Sequence, residues 1–151
     1  MPPLAKLYEA MGAVGDRRVQ LVDSQHASVK SSDGSRTYQV ELSEDGREIS
    51  SNDNASYWQG YLGYPAIAVM IVRGLFHPPA DVVEALSGVP WKELNTHFRN
   101  DYDRTLEEVD RRAVMNGFDP AIIRAAADAL LSALEQYAPL RGARTRPPRA
   151  K

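Results

Sequence analysis

The stretch that decides the fold runs His26-Ala-Ser-Val-Lys-Ser-Ser-Asp33-Gly34-Ser-Arg-Thr-Tyr-Gln-Val-Glu-Leu-Ser-Glu-Asp45-Gly46-Arg-Glu-Ile49. Apolar and polar residues alternate along it, and Asp-Gly interrupts the alternation twice, the pattern of half-buried strands joined by tight turns. Each turn sets a register that can be checked against the other. With Asp33-Gly34 as a two-residue type I′ loop, Ser32 opposes Ser35, Val29 opposes Tyr38 and Ala27 opposes Val40. With Asp45-Gly46 treated alike, Glu44 opposes Arg47 and Leu42 opposes Ile49. Both choices put Ala27, Val29, Tyr38, Val40, Leu42 and Ile49 on one face and turn Thr37, Gln39 and Glu41 outward. Two independent turns bury one apolar set, so an antiparallel β-meander of three to four strands is expected over about 18–51. Val19 and Leu21 share the parity of Val29 and supply the extra strand or extend the first.

Outside the meander the period changes to that of a helix. Leu4, Leu7, Tyr8, Met11 and Val14 form one helical face that stops at Gly15-Asp16, free to pack on the body or on a second subunit. Pro65 to Arg73 has Pro at its start, Gly74 past its end and no polar face, so it reads as a buried central helix. Pro79 to Ser87 and a segment from Pro90 with Trp91, Leu94 and Phe98 on one stripe are further helices. The next is capped by Asp103 or Thr105, with Thr105-x-x-Glu108 fitting a capping box and Glu107–Arg111 and Glu108–Arg112 as ion pairs. The last starts at Asp119-Pro120, carries Ile123, Ala127, Leu130 and Leu134 inward, and ends near Tyr137 before Pro139.

A run of strands followed by a run of helices indicates an α+β fold. The expected architecture is a short N-terminal helix, the meander, and a C-terminal cluster of four or five helices around the buried helix 65–73. One domain covers 1–139, with the meander at 17–52 and the helical part at 55–138, and 140–151 is a disordered basic tail. The 151 residues suffice for one core. The net charge of −2 hides a split: Arg141, Arg144, Arg146, Arg149 and Lys151 are five basic residues with no acidic one beside them. Removing them from the 18 basic residues leaves 13 against 20 acidic, a net of −7 for 1–140. These five are the candidate nucleic-acid contacts, weakened by the acidic body and the lack of interleaved aromatics.

Function classes narrow by exclusion. No cysteine means no disulfide framework, thiolate metal site or cysteine nucleophile. The start Met1-Pro2-Pro3-Leu4 is unlike a signal peptide, and the longest apolar run, 66–72, is far short of a membrane span. A cytoplasmic location and no membrane partner are therefore expected. His26 opposite Glu41 is a candidate acid/base pair, but an exposed cross-strand ion pair explains it as well. His97, Asp101 and Asp103 are candidate metal ligands. Asp101-x-Asp103-x-Thr105 opens like a calcium loop, yet Leu106 stands at the turn glycine and Arg112 at the bidentate glutamate. There is no serine elbow and no glycine-rich phosphate loop. No catalytic residue, metal or cofactor is assigned. The most unusual segment is Tyr57-Trp58-x-Gly60-Tyr61-x-Gly63-Tyr64-Pro65. As a helix it lines Tyr57, Tyr61 and Tyr64 on one face, and with Arg73 and Trp91 these residues and Trp58 form a candidate ligand or partner groove. The expected function is a non-catalytic interaction or binding module that self-associates. The alternatives are a nucleic-acid-associated accessory protein using the tail, or a small enzyme with acid/base or metal chemistry.

Overall fold

The computed structural model describes residues 1–142, 146 and 147. Helix α1 (Leu4–Gly15) leads into strands β1 (Val19–Leu21), β2 (His26–Lys30), β3 (Thr37–Leu42) and β4 (Glu48–Ser51). A π-helical turn over Ala55–Gln59 follows, then α2 (Tyr64–Val72), α3 (Ala80–Ala85), α4 (Trp91–His97), α5 (Tyr102–Met115), α6 (Pro120–Tyr137) and β5 (Leu140–Arg141). The architecture is α+β. Strands β1 to β4 are an antiparallel meander in sequence order, and β5 joins β4 in parallel. The chain returns there because Leu140 N–H donates to Arg47 O and Gly142 N–H to Ile49 O, each at 2.7 Å. Leu140 and Arg141, which the sequence puts at the start of the tail, are thus part of the sheet.

The register follows the alternation: Val29 pairs with Tyr38, Ala27 with Val40, and Leu42 with Ile49. The turns themselves differ from the type I′ expectation. Of the two residues in each Asp-Gly pair, only Gly34 (φ 74°) and Gly46 (φ 73°) are left-handed, whereas type I′ needs both. Each turn is instead a four-residue loop built on Ser-x-Asp-Gly, and the two copies share their hydrogen bonds. Ser31 N–H donates to Arg36 O and Ser43 N–H to Glu48 O, both at 2.9 Å, while the glycine N–H returns to the serine carbonyl in each. Within the loop Asp33 Oδ1 accepts from Ser31 Oγ and Ser35 N–H, as Asp45 Oδ1 accepts from Ser43 Oγ and Arg47 N–H. An aspartate holding its own turn does not need the left-handed conformation, and the loop keeps the register because it closes the same residue pairs.

Helix α2 is buried as its composition requires, and it lies on the four meander strands. Helix α1 is enclosed as fully: its other sides meet α3, α5 and α6, and Leu7, Tyr8, Ala10, Met11 and Ala13 are sealed from solvent. The stripe that was free to meet a second subunit is covered within the chain. Small residues allow this. A Cβ on Gly12 would fall 2.7 Å from the Trp91 indole nitrogen, and one on Gly15 would fall 2.3 Å from Val83 O, so α3 approaches α1 at backbone distance and the Trp91 side chain of α4 packs directly on it.

Two local expectations change in α5. Its N-cap is Asp101, whose side chain accepts from Arg104 N–H, so Asp103 and Thr105 lie inside the helix. Thr105 is fully buried and its hydroxyl donates to Asp101 O, which removes it from any capping box. Glu108 binds both Arg111 (2.7 Å) and Arg112 (2.8 Å), taking the arginine expected to pair with Glu107.

Gly63 provides the sharpest test of packing. A Cβ there would fall 1.8 Å from Asp53 Oδ2, and that carboxylate is held by Ser51 and Ser56. Gly63→Ala is expected to cost roughly 2–4 kcal/mol, lowering the melting temperature by on the order of 10 °C. At Gly34 nothing lies within 4 Å of the added Cβ, so Gly34→Ala should cost only the backbone strain of about 1 kcal/mol. Circular-dichroism melts of the two variants measure the difference, and equal losses would show that Gly63 is not packed as described.

Candidate functional site

A polar cavity of about 200 Å³ lies between α1, the β2–β3 turn, α2 and α4. Its unusual member is Glu9, a carboxylate only 2% exposed on a helix enclosed by apolar neighbours. Burying a charge is costly unless it is paired and hydrogen-bonded. Both conditions are met: Lys6 Nζ lies 3.4 Å from Glu9 Oε2 one turn back along α1, and Asn95 Nδ2 of α4 donates to Glu9 Oε1. The Lys6 ammonium also sits 4.9 Å from the centre of the Tyr102 ring. Burial alone would lower its pKa, but Glu9 and Tyr102 outweigh burial and hold Lys6 well above the ordinary lysine value.

The wall toward the sheet carries Tyr38 from β3 and Tyr64 from the start of α2, with ring centres 6.2 Å apart, edge to face. Burial pushes both phenols above the ordinary tyrosine range, so they are neutral hydrogen-bonding groups at physiological pH. At the base, buried Asp53 accepts from Ser51 Oγ (2.6 Å), Ser56 Oγ (2.8 Å) and Ser56 N–H (3.1 Å). The rim is formed by Ser31, Ser32 and Arg36 of the turn and by Lys92, Thr96 and Asn100. The turn is fastened to α4 by Lys92, whose N–H donates to Ser32 Oγ and whose Nζ donates to Ser35 Oγ.

Of the aromatic-segment residues, Tyr64 and Trp91 line this cavity. Trp91 presents its ring, while its indole nitrogen faces Gly12. Tyr61 is not part of the lining but lies near enough to Lys6 to influence it electrostatically. Tyr57, Tyr61 and Tyr64 do not share a helical face, because the π-helical turn ends at Gly60 (φ 76°) before α2 begins. The Trp58 side chain lies outside the described residues. Arg73 belongs elsewhere: it ends α2, roughly 13 Å along the axis from Tyr64, and donates to Asp23 O. Lys6, Glu9, Arg36, Tyr38 and Asn95 come from four separate segments and were not singled out in the sequence. A signal for Glu9 existed. Ala5, Ala10, Gly12 and Ala13 occupy faces of α1 outside its large apolar stripe, the mark of a helix packed on several sides and a hint that its one glutamate is enclosed too.

The other candidate groups are dispersed. His97 packs on Phe98, Asp101 caps α5, and left-handed Arg99 and Asn100 break the helix between them. Among the described residues, no group of three or more His, Asp and Glu is placed to hold a metal ion, and no helix is long and apolar enough to cross a membrane. In the tail, Arg141 donates to Ser56 O and Arg146 is exposed, while Arg144, Arg149 and Lys151 lie outside the described residues. A larger groove of about 680 Å³, between residues 75–79 and α6, is walled by Phe76, Pro78, Ile122, Ala125 and Leu130. Among the described residues His77 is the one titratable group in its lining, and the rest is apolar surface.

The chain belongs to the family described as Uncharacterised conserved protein UCP014422, which it matches over residues 1–139. Neither a curated protein nor a solved structure matches it.

His26 gains a closer partner than the one expected. Its Nδ1 is 2.8 Å from Asp23 Oδ1, whereas its Nε2 is 4.0 Å from Glu41. The hydrogen bond to Asp23 raises the His26 pKa above 6.5, and the Gln25 N–H followed by His26 lowers that of Asp23 to about 2. The histidine's contribution to stability is therefore complete below pH 6.5 and lost as pH rises through its raised value; that of Asp23 is lost as pH falls toward about 2. In Asp23→Asn the His26 titration followed by NMR should move back toward 6.5. An unchanged midpoint would assign the effect to Glu41.

Proposed function

We propose that this chain is a non-catalytic binding module whose ligand is a small polar molecule held in the cavity beside Glu9. The observation that carries the reading is a charged side chain 2% exposed that nonetheless borders an open cavity. A core built only for stability would close around apolar groups there. At ~30 Å³ per water, the cavity has room for about seven waters, a size suited to a metabolite of a few carbons. Binding is favoured over turnover because the groups that could act as acid or base are already engaged. Glu9 is held by Lys6 and Asn95, Asp53 accepts three hydrogen bonds, and both tyrosines are held in the phenol form.

A thermal-shift screen of small polar metabolites tests this. A ligand at a hundred times its Kd stabilises by about 2.7 kcal/mol, a rise of roughly 5–11 °C for a chain of this size. Thr96→Trp places a bulky group on the exposed rim and should leave the unliganded melting temperature in place while removing the rise. A screen without any shift, or a shift that persists in Thr96→Trp, would end the reading.

Self-association is a second reading, favoured by exposed apolar side chains flanking the α5–α6 turn: Val114 (61%), Met115 (71%) and Ile122 (48%). Scattered exposed apolar residues are ordinary, but Ile122 also lines an apolar groove. Sedimentation velocity should then show a dimer that Ile122→Glu converts to monomer. A monomer at about 100 μM would rule it out.

A further inference from the structure

We infer that the cavity takes a small carboxylic acid that also carries an amino or hydroxyl group, with the carboxylate on Arg36 and the N–H or O–H on Asn95. This rests on the binding reading above and adds the ligand's chemistry to it.

The inference comes from the hydrogen-bonding capacity that the cavity leaves unmatched. Three cations line it. Lys6 is committed to Glu9 and to the Tyr102 ring. Lys92 donates to Ser35 Oγ at 2.7 Å and lies 3.4 Å from Asp33 Oδ2. Arg36 differs from both. It lies against the Tyr38 hydroxyl, no carboxylate among the described residues is within ion-pair distance of it, and its Nε is shut off from solvent without a hydrogen-bond partner. A guanidinium N–H in that position is costly to leave unmet, and its planar fork fits a carboxylate with two parallel hydrogen bonds.

Asn95 has the opposite need. Its Nδ2 donates to Glu9 Oε1, and because a carboxylate only accepts, that bond fixes which way the amide points. Its Oδ1 is then buried without a donor. The cavity's own carboxylates cannot answer Arg36, since Glu9 and Asp53 are tied to donors of their own. Among the described residues that line the cavity, three buried polar atoms remain unmatched: Arg36 Nε, Asn95 Oδ1 and Trp91 Nε1. The last faces Gly12 on α1, which leaves one cationic donor and one neutral acceptor for a ligand. An amino acid or hydroxy acid meets both. A neutral amide leaves Arg36 without a counter-charge, and a simple alkanoate leaves Asn95 Oδ1 unmet.

The test is an NMR titration of the isotope-labelled full chain with L-serine and L-lactate, each against its carboxamide, in the wild type and in Arg36→Gln. Propionate serves as the acid without a donor. The expected result is shifts at Trp91, Asn95 and Tyr64 with the acids, at least tenfold weaker binding of the amides, and weaker binding of propionate. Arg36→Gln should weaken the acids at least tenfold and erase the acid–amide difference. The wild-type comparison stands by itself if that variant fails to fold. Amides that bind as tightly as acids, or acids that bind Arg36→Gln undiminished, would overturn the carboxylate assignment and leave the binding reading in place. Propionate binding equal to lactate would overturn the role of Asn95. No shift at any cavity residue with any probe would overturn both proposals.

Discussion

The structure depends on how it encloses one charge. Glu9 sits on α1, the helix that α2, α3, α5 and α6 surround, so its carboxylate is all but shut off from bulk water and meets only the small cavity it borders. A lone buried carboxylate would destabilise the fold by several kcal/mol. The chain offsets this with a cation three residues earlier on the same helix and an amide from α4. Those two partners keep the space beside Glu9 polar, and the phenols of Tyr38 and Tyr64 face it. The cavity is therefore a consequence of the core's own electrostatics. Where a charge must be kept hydrogen-bonded, side chains cannot collapse to close packing.

The surroundings of that charge are held stiffly. Gly12 and Gly15 let α3 and α4 press against α1, and Gly63 lets α2 begin directly over the Asp53 carboxylate. On the other side, the β2–β3 turn is braced internally by Asp33 and externally by Lys92. The position of Arg36 follows from these constraints, since it is the last residue of a turn whose loop is closed by Ser31. Walls set by backbone contact and short-range hydrogen bonds are ordered in advance, which would lower the entropic cost of the binding proposed for the cavity.

Much of the scaffold was legible because it is governed by near neighbours in the chain. The meander register followed from the two Asp-Gly positions and the alternation around them, and the helices now seen at Leu4–Gly15, Tyr64–Val72 and Pro120–Tyr137 were placed by periodicity, Pro and Gly. The structure departs from the local pattern where two local solutions compete. Asp-Gly fits a type I′ loop, yet the preceding serines let each aspartate close a wider turn in the same register. Thr105 fits a cap, yet Asp101 takes that place and Thr105 is buried. The aromatic run fits one helical face, yet Gly60 breaks it.

By itself, the sequence determined the fold class, the strand register, the approximate helix positions and the clustering of positive charge after Leu140, because each depends on residues a few positions apart. Tertiary structure alone decided the site. Lys6 and Glu9 are ordinary helix-surface residues until α2, α3, α5 and α6 close around α1. Arg36 and Asn95 are separated by 59 positions and meet only because the first hairpin packs on α4. No local pattern encodes which hydrogen-bonding groups a closed core leaves unmatched, since that depends on every element that packs there.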